Sequence, residues 1–228
     1  MVSVLCICGD HGRFVGECLS SLEAQTWPNL EILVLDNASA DDSLQIIDAW
    51  SAATKRRHEV IRQERAAGVC RNFNTLFARA QGAYFCLLAA DDTLLPEKFE
   101  RQVRLLQAAG PEVAVVYSVA TQIDEAGKGL PGLFVSSHRK RDDCPEGDVL
   151  GELLKGNWIP AHGALTRRGA WEKCGPWDEA LVYEDWDMWL RLATQHRFVF
   201  DPVPSAVYRI VSSSLSRAVL HRATAATR

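Results

Sequence analysis

The chain has 228 residues, of which 47% are hydrophobic and 24% are charged. This length and composition fit one globular domain and exclude a disordered or collagen-like chain, since only 15 residues are Gly and 9 are Pro. The 25 basic and 29 acidic residues give a formal net charge of −4. The chain therefore lacks the broad cationic surface that non-specific nucleic-acid binding requires, and we expect no nucleic-acid partner.

The apolar runs of the chain are short. Residues 83–90 form one of the longest, and it falls far short of the ~20 residues that a bilayer span needs. The first residues show no basic segment and no small-residue cleavage site, so no export signal is visible. The seven cysteines are an odd number without a C-x-x-C pair, which favours reduced thiols. These features predict a cytoplasmic protein.

Strand-like and helix-like segments alternate through the first half of the chain. Apolar runs at residues 2–8, 30–35, 58–61, 83–88 and 113–117 are typical of buried strands. Between them we predict helices at residues 14–22, after an N-cap at Ser39 or Asp41, at 69–80, and from Pro96 through Ala109. The alternation predicts an α/β fold in which helices cover both faces of a mostly parallel sheet.

The second half of the chain, from residue 118, differs in composition. Residues 124–147 are rich in Gly, Pro and charge, which predicts a long exposed loop. Five of the seven tryptophans follow it: Trp158, Trp171, Trp177, Trp186 and Trp189. Residues 217–228 are rich in Ala, Thr and Arg and are predicted to fray.

Polar residues follow three predicted strands, where parallel sheets bind their ligands. They are Asp10-His11, Asp36-Asn37 and Asp91-Asp92. No G-x-G-x-x-G and no P-loop motif follows any strand, which counts against a dinucleotide dehydrogenase and a P-loop enzyme. Because the strand ends are acidic, a nucleotide phosphate can bind there only if a cation intervenes.

Residues 183–193 place an acidic residue among apolar ones. As a helix, this segment puts four residues on one face at i, i+3, i+4 and i+7: Asp185, Met188, Trp189 and Leu192. Favourable charge at a helix start explains Glu184 and Asp187, which can face solvent, better than it explains the inward-facing Asp185. Because apolar neighbours raise the pKa of a carboxyl group, Asp185 is a candidate general base.

In this order, these residues closely resemble family 2 glycosyltransferases. The matching segments are residues 2–5, 10–15, 20–31 and 35–43, then 87–92 with Pro96, then 177–179 and 184–191. The resemblance covers nearly the whole chain and implies one GT-A domain, residues 1–228, with a Rossmann-like, mostly parallel sheet. It also implies inverting transfer from a nucleotide diphosphate sugar bound by residues 1–117. Residues 118–228 would bind the acceptor and carry the catalytic helix.

The resemblance implies a donor site, with a UDP-sugar favoured. Asp36 is similar to the family carboxylate that hydrogen-bonds the nucleotide base, although a turn residue is an equal alternative. Arg71 is similar to an arginine that faces the nucleotide, and a solvated helix charge is its alternative. Cys8 and Asp10 complete the implied site, together with Asp92, which would contact sugar hydroxyls or cap the next helix.

The resemblance also implies a cation and a base. Asp91 matches the last acid of the family's D-x-D motif, which binds Mg²⁺ or Mn²⁺ and bridges the two phosphates; a strand-end turn is the alternative. Asp185 corresponds to the catalytic base, which takes the proton of an acceptor hydroxyl. Glu184 and Trp158 are weaker acceptor-side candidates, Trp158 because aromatic rings stack on sugars. Trp177 is a further candidate of that kind, although core packing is commoner.

Three positions depart from the family pattern. Ala89 replaces the first D-x-D acid and leaves fewer protein ligands for a metal. Residues 7–10 stand where the family usually has a Pro-Thr-Tyr-Asn-like run, so the base must be stacked from elsewhere. Val211 stands where a histidine is frequent. These departures keep open an alternative hypothesis, a catalytically degenerate nucleotide-sugar-binding protein.

The expected acceptor is a saccharide or a lipid-linked sugar in the synthesis of surface polysaccharide or glycolipid. The cluster Arg139-Lys140-Arg141 would suit an anionic lipid-linked acceptor or the inner face of the cell membrane, with peripheral association. Three cations mixed with Asp142-Asp143 are also typical of a solvated loop. A nucleotidyltransferase is a third hypothesis, but it should carry a basic, glycine-rich loop after the first strand, and residues 9–13 are too acidic and short.

Overall fold

The computed structural model describes residues 1–139 and 143–211. The strands are β1 (Val2–Cys8), β2 (Leu30–Asp36), β3 (Arg57–Arg62), β4 (Tyr84–Ala89), β5 (Thr93–Leu94), β6 (Val113–Ile123), β7 (Gly129–Leu133), β8 (Ala164–Arg167) and β9 (Arg197–Arg209). The helices are α1 (Gly12–Glu23), α2 (Ser43–Ala53), α3 (Val69–Arg79), α4 (Lys98–Ala108), α5 (Phe134–Arg139), α6 (Leu150–Leu153), α7 (Arg168–Cys174) and α8 (Glu184–Ala193). A 3-10 turn at Ala161–Gly163 precedes β8.

All nine strands of the described residues belong to one sheet, in the order β3-β2-β1-β4-β8-β6-β9-β5, with β7 paired to β6. Strand β1 is parallel to β2 and β4, and β2 is parallel to β3. Strand β8 is antiparallel to both β4 and β6, and β6 is parallel to β9. Therefore β6 and β9 run in the same direction as β1 to β4, and their carboxyl ends reach the same edge of the sheet.

Two hydrophobic cores lie on the two faces of this sheet. Alternate residues of β1 point to opposite faces, so Val4 and Cys6 pack with α1, α2 and α4 while Leu5 packs with α3, α7 and α8. Both faces are apolar because helices cover both. The predicted α/β sheet with helices on both faces is confirmed.

The boundaries of most predicted elements agree with the structure to within a few residues. Helix α2 begins at Ser43 with Asp42 as its N-cap, so the predicted N-caps Ser39 and Asp41 are wrong, although the side chain of Asp41 accepts the Ser43 N–H at 2.9 Å. Ser39, the other cap candidate, accepts the N–H of Asp10 at 3.0 Å instead. Asp41 therefore supports the first turn of α2, and Ser39 ties two loops together.

The predicted loop at residues 124–147 is wrong in part, because it contains β7 and α5. Strand β7 pairs only with β6, and Pro131 is tolerated on such an edge because its missing N–H leaves no ladder bond broken. Helix α5 is anchored by Phe134 and Val135, which are buried. These two elements could not be predicted from the sequence, because the residues around them are rich in Gly, Pro and charge, as in a loop.

Parts of three predictions lie outside the described residues. These are the frayed tail at residues 217–228, Lys140 and Arg141 of the basic cluster, and Asp142. No disulfide joins any of the seven cysteines, all of which lie in the described part of the chain, and Cys6, Cys8 and Cys86 are buried in strands as small apolar residues. None of the helices in residues 1–139 and 143–211 combines the length and the apolar character of a membrane span.

Candidate active site

The ends of β2, β1 and β4 bring their polar residues to adjacent places on the carboxyl edge. Cys8 is the register partner of Asp36, and Ile7 is the partner of Ala89. Asp91 follows Ala89 directly after the turn at residue 90. The predicted residues of the first, second and fourth strands are thus brought together along this edge.

Asp36 has an unused hydrogen-bonding oxygen. The residue is 2% exposed, and its Oδ2 accepts the N–H of Ser39 at 3.2 Å. Its Oδ1 is buried without a hydrogen-bond partner among the described residues. Because an unpaired buried acceptor costs about 1–3 kcal/mol, a donor that reaches this oxygen is favoured. Asp36 is therefore a candidate acceptor for a ligand N–H, and its contact with a donor stays a prediction.

Asp10 connects the loops that surround Asp36. Its Oδ1 accepts the N–H of Ala40 at 2.7 Å, and its own N–H donates to Ser39 at 3.0 Å. Its φ of 55° is left-handed, a conformation that Asp tolerates better than most residues. The exposed carboxylate of Asp10 thus forms part of the rim beside Asp36, and its contact with a donor stays a prediction.

The prediction that Cys8 contacts the donor is wrong for its side chain. Cys8 is 0% exposed and packs in the core shared with α1 and α2. Burial raises the pKa of its thiol to about 12, so the thiol stays neutral. The alternation along β1 explains the orientation, because Cys8 shares the face of Val4 and Cys6. Only the Cys8 backbone, whose carbonyl accepts the N–H of Asn37 at 2.8 Å, belongs to the edge.

Arg71 lies in the first turn of α3, which follows the carboxyl end of β3. The residue is exposed, and its guanidinium forms no ion pair within the part of the chain that the structure describes. The loop before it is held against β2 by Asn37, whose amide both donates to the carbonyl of Ala67 at 3.2 Å and accepts its N–H at 2.8 Å. Arg71 is therefore a free cation on a supported loop, as the anionic part of a nucleotide requires.

Asp92 does not face the cleft, which corrects its prediction as a sugar-binding residue. It is 4% exposed; its Oδ1 accepts the N–H of Arg209 at 2.8 Å and its Oδ2 lies 3.2 Å from His162 Nδ1. Burial raises the pKa of Asp92 well above its usual range, helped by the neighbouring Asp91. Burial also lowers the pKa of His162 to about 3. Asp92 therefore connects β9 and the His162 turn to the end of β4.

Arg209 supports Asp91, although no sequence pattern indicated it. Its side chain is 2% exposed as part of an ion pair with Glu17, and its guanidinium lies 4.7 Å from the ring centre of Phe14. Its Nε donates to the carbonyl of Asp91 at 3.0 Å. The contacts join residues more than a hundred positions apart, so periodicity could not reveal them. Arg209 thereby fixes the backbone from which the half-buried Asp91 side chain projects.

This edge fits a cation that arrives with a diphosphate. Asp91 supplies one carboxylate, while Ala89 removes a second, and the described residues contain no group of three His, Cys, Asp or Glu that could hold a metal ion. Mg²⁺ is commonly bound through one or two carboxylates, water and substrate phosphates rather than by an all-protein cage. The donor set at Asp91 is therefore sufficient for a shared cation and insufficient for a permanent one.

Asp185 lies in the first turn of α8, on the face predicted for it. Met188, Trp189 and Leu192 of that face are 0–1% exposed, and Asp185 is half-buried. Asp185 Oδ2 accepts the side-chain N–H of Asn157 at 2.8 Å, and Oδ1 accepts the N–H of Trp186 at 2.7 Å. Burial raises the pKa of the Asp185 carboxyl, and the two hydrogen bonds oppose that shift.

Glu184 shares the partly buried environment of Asp185 at the start of α8. We expected it to face solvent, but it is half-buried, which corrects that expectation. Burial and the neighbouring Asp185 raise its pKa to about 8. Two adjacent carboxyls that resist simultaneous ionisation give this helix start a proton-holding capacity near neutral pH.

The start of α8 lies at the same edge as Asp36 and Asp91. The Sγ of Cys70, in the first turn of α3, lies 3.4 Å from the carbonyl oxygen of Leu181, just before α8. From the other side, β8 runs against β4, so the turn that precedes β8 and the Asn157 segment before it lie beyond the carboxyl end of β4. The Cys70 contact and the direction of β8 therefore both place the start of α8 at the edge that carries the donor-site candidates.

The tryptophans do not offer the sugar-stacking face that Trp158 was predicted to provide. Trp158 is 1% exposed, and the guanidinium of Arg139 lies 4.4 Å from its ring centre. Trp177, the other stacking candidate, is 2% exposed and packs 4.7 Å from Trp171. These rings are core because each finds aromatic or cationic partners within the fold.

Exposed apolar side chains flank the start of α8. Because they lie in loops, no hydrophobic periodicity indicates them. They are Leu154, Leu181, Val182 and Tyr183, with exposures from 39% to 67%. Trp186 connects the two loops, since its indole N–H donates to the carbonyl of Leu153 at 2.9 Å. The structure thus places an exposed apolar surface and the half-buried Trp186 beside Asp185.

Solved structures with this architecture have the GT-A fold of sugar transferases. S. aureus TarS 1–349 in complex with UDP matches with a TM-score of 0.73 and 18% identity, over 92% of this chain and 60% of that one. The mannosyltransferase PcManGT from Pyrobaculum calidifontis in complex with GDP-Man and Mn²⁺ matches with a TM-score of 0.72 and 18% identity, over 97% and 60%. The predicted GT-A fold is confirmed.

The chain belongs to Glycosyl transferase family 2, whose family model matches residues 3–172. It is similar to the uncharacterized glycosyltransferase RC0461 of Rickettsia conorii, with 27% identity over 197 residues. That match covers 84% of this chain and 31% of the relative. The chain therefore spans less than two thirds of the length of these relatives, and the predicted family is confirmed for the part that it represents.

Proposed function

We propose that this chain transfers a sugar from a nucleotide diphosphate sugar to an acceptor hydroxyl with inversion of configuration. The observation that carries the proposal is the half-buried Asp185, held by two hydrogen bonds at the sheet edge that also presents Asp36 and Asp91. A single displacement needs one base, so a second catalytic carboxylate of the kind used in glycoside hydrolysis is not required.

The donor binds, in this proposal, across the ends of β2, β1 and β4. The unpaired Oδ1 of Asp36 accepts an N–H of the nucleotide base, and the free guanidinium of Arg71 faces the diphosphate. Uracil and guanine both carry such an N–H, and we favour a UDP-sugar. Residues 1–117 form the donor half, and residues 118–228 form the acceptor half.

The proposed cofactor is Mg²⁺ or Mn²⁺, with Asp91 as its protein ligand. When bound, such a cation neutralises the charge that develops on the leaving diphosphate. The chain's own contribution is to hold Asp91 in place, through the hydrogen bond from Arg209 to the Asp91 carbonyl at 3.0 Å. Asp92 acts behind it, by fixing β9 to the end of β4.

Asp185 removes the proton of the acceptor hydroxyl as that oxygen attacks the anomeric carbon, opposite the leaving diphosphate. Its oxygens each keep an acceptor site, because Asn157 and Trp186 occupy only one lone pair apiece. Burial raises the pKa of Asp185 toward the working pH, which strengthens it as a general base.

The acceptor approaches over the exposed apolar residues 181–183 and Leu154. This surface suits an acceptor with an apolar part, and we propose a saccharide or a lipid-linked sugar in the synthesis of cell-surface polysaccharide or glycolipid. Peripheral association with a membrane and a cytoplasmic location stay predictions.

A thermal-shift screen of nucleotide diphosphates and their sugars, with and without Mn²⁺, tests the donor and cofactor together. A ligand stabilises the folded chain in proportion to the logarithm of its concentration over Kd, so weak preferences register. We expect Asp91→Ala to lose the extra stabilisation that Mn²⁺ gives to the nucleotide. Asp148→Ala, a change of another acid outside the proposed donor site, is the control. An unchanged Mn²⁺ response in Asp91→Ala would remove Asp91 as a ligand.

A non-catalytic nucleotide-sugar-binding protein is the second candidate function, because Ala89 removes one metal ligand and Val211 stands where a histidine is frequent. The two candidates differ in turnover. Any hydrolysis or transfer of a radiolabelled donor that depends on Asp185 supports the transferase, whereas donor binding without turnover supports the second candidate.

A further inference from the structure

The orientation of the Asn157 side chain does not depend on Asp185. The residues that follow it, Trp158 and Ile159, are 1% and 0% exposed, and the Arg139 guanidinium covers the Trp158 ring. The Oδ1 of Asn157 accepts the N–H of Ile159 at 3.2 Å. Because this bond uses the amide oxygen, the amide nitrogen is directed at Asp185 Oδ2, at 2.8 Å. The orientation of the amide is thus set by the backbone and not by Asp185.

The second oxygen of Asp185 is fixed from within α8. It accepts the N–H of Trp186 at 2.7 Å, and the indole of Trp186 is bonded to the Leu153 carbonyl at 2.9 Å. Both oxygens of the carboxylate are therefore constrained, one by helix α8 and one by the segment before the 3-10 turn. Removing the Asn157 amide would leave the carboxyl free to rotate about its side-chain bonds.

The charged surroundings of Asp185 offer little else that favours its ionised form. Glu184 is a neighbouring carboxyl and opposes that form, while His138 on α5 favours it through space. Among the described residues, Asn157 donates the one side-chain hydrogen bond that Asp185 receives. A neutral amide donor stabilises a carboxylate less than a cationic donor does. The carboxylate therefore keeps more of its basicity than it would in an ion pair.

We propose that Asn157 is a positioning residue, which holds the Asp185 carboxylate in one orientation toward the acceptor and favours its ionised form through the amide hydrogen bond. This inference rests on the proposed function of Asp185. Asn157 acts through Asp185 and is not assigned any contact with the donor or the acceptor.

The test is a pH titration of Asp185 by ¹³C NMR on protein labelled at the aspartate carboxyl carbons, with the resonance assigned from Asp185→Asn. Asn157→Asp replaces the donor with an acceptor of the same shape, and Asn157→Ala removes it. We expect both changes to raise the pKa of Asp185, Asn157→Ala by about one pH unit and Asn157→Asp by more. Asn29→Asp is the matched control, because it makes the same change in an exposed residue just before β2, at the opposite edge.

The titration needs no substrate, so its outcome is separate from that of the proposed function. Thermal unfolding shows which variant is folded, and either variant suffices. An Asp185 pKa that is unchanged in a folded variant overturns the inference, even if the chain proves to be a transferase.

A kinetic readout tests positioning directly. The acid limb of the kcat profile should move to higher pH in Asn157→Asp, because Asp185 must be deprotonated to act, and kcat at neutral pH should fall by about tenfold or more with the donor KM unchanged. An equal loss in kcat at every pH would contradict the claim that Asn157 favours the ionised form of Asp185, and an unchanged kcat with a rise in donor KM alone would contradict a positioning role. Absence of transfer by the wild-type chain would refute the proposed function and leave the NMR result standing.

Discussion

Strand β2 has a buried carboxylate at each end, and the two carboxylates differ in how many hydrogen-bond partners they have. At the amino end, Glu31 is 3% exposed, and its Oε1 accepts from the Ser3 hydroxyl at 2.5 Å and the Gly82 N–H at 2.9 Å. Its other oxygen lies 3.3 Å from the Arg57 guanidinium. At the carboxyl end, Asp36 is 2% exposed and keeps one oxygen unpaired.

The comparison separates a structural carboxylate from a functional one within a single strand. Burial alone does not distinguish them, since both are almost fully covered. The two carboxylates differ in their hydrogen-bond partners. Both oxygens of Glu31 have partners inside the chain, whereas one oxygen of Asp36 has no partner among the described residues, and a ligand can provide it. Asp185 lies between the two, because each of its oxygens has one hydrogen-bond partner and burial still raises its pKa. Substitutions can test this division.

Asp185→Asn should produce the largest effect. The amide keeps the shape but cannot accept the proton of the acceptor hydroxyl, so turnover should fall by about 10²–10⁴-fold. Nucleotide binding, measured by calorimetry, should stay within about twofold of wild type because Asp36 and Asp91 are untouched. Asp187→Asn is the control: Asp187 lies in the same helix turn, is half-buried rather than solvent-facing as expected, and pairs with Arg191. Turnover at the wild-type rate in Asp185→Asn would end its assignment as base.

Glu31→Ala should produce the largest loss of stability. It leaves the Ser3 hydroxyl and the Gln81 N–H without an acceptor and the Gly82 N–H with the Ser3 hydroxyl alone, which should lower the free energy of unfolding by about 3 kcal/mol. Urea denaturation measures this loss. The control is Glu59→Ala on β3, where the exposed pair with Arg79 should contribute less than about 1 kcal/mol. Equal losses in the two variants would contradict the structural role of Glu31.

Asp36→Asn should sharpen the comparison with a smaller effect. We expect nucleotide affinity to fall about tenfold, because the amide presents one acceptor oxygen where the carboxylate presents two. The free energy of unfolding should change by less than about 0.5 kcal/mol, since only the bond from the Ser39 N–H needs an acceptor. Asp48→Asn, an exposed acid on α2, is the control. A strongly destabilised Asp36→Asn with unchanged nucleotide affinity would place Asp36 with Glu31.

Local patterns were enough to predict much of this fold and part of its site. The continuous apolar runs of the strands and the three-to-four period of α8 predicted which residues are buried, and Asp185 is identified because it interrupts the apolar face of α8. The strand ends identified Asp36 and Asp91, because a strand end can be located from sequence alone.

What the sequence could not predict depends on contacts between distant segments. Asn157 meets Asp185 from 28 positions away, and Arg209 meets Asp92 from 117 positions away. Asp92 was assigned to the cleft because it stands beside Asp91, but its partners on β9 and at His162 turn it inward. Trp158 was assigned to a sugar for its ring, which the Arg139 guanidinium covers instead.

The reversed direction of β8 has a mechanical consequence. Because β8 bonds to β4 on one side and to β6 on the other, the strands of the donor half and those of the acceptor half form one continuous sheet. Such a sheet provides no hinge between the halves, so enclosing a substrate by rotating one half against the other would break backbone hydrogen bonds. Any narrowing of the site must therefore come from segments beyond the edge of the sheet.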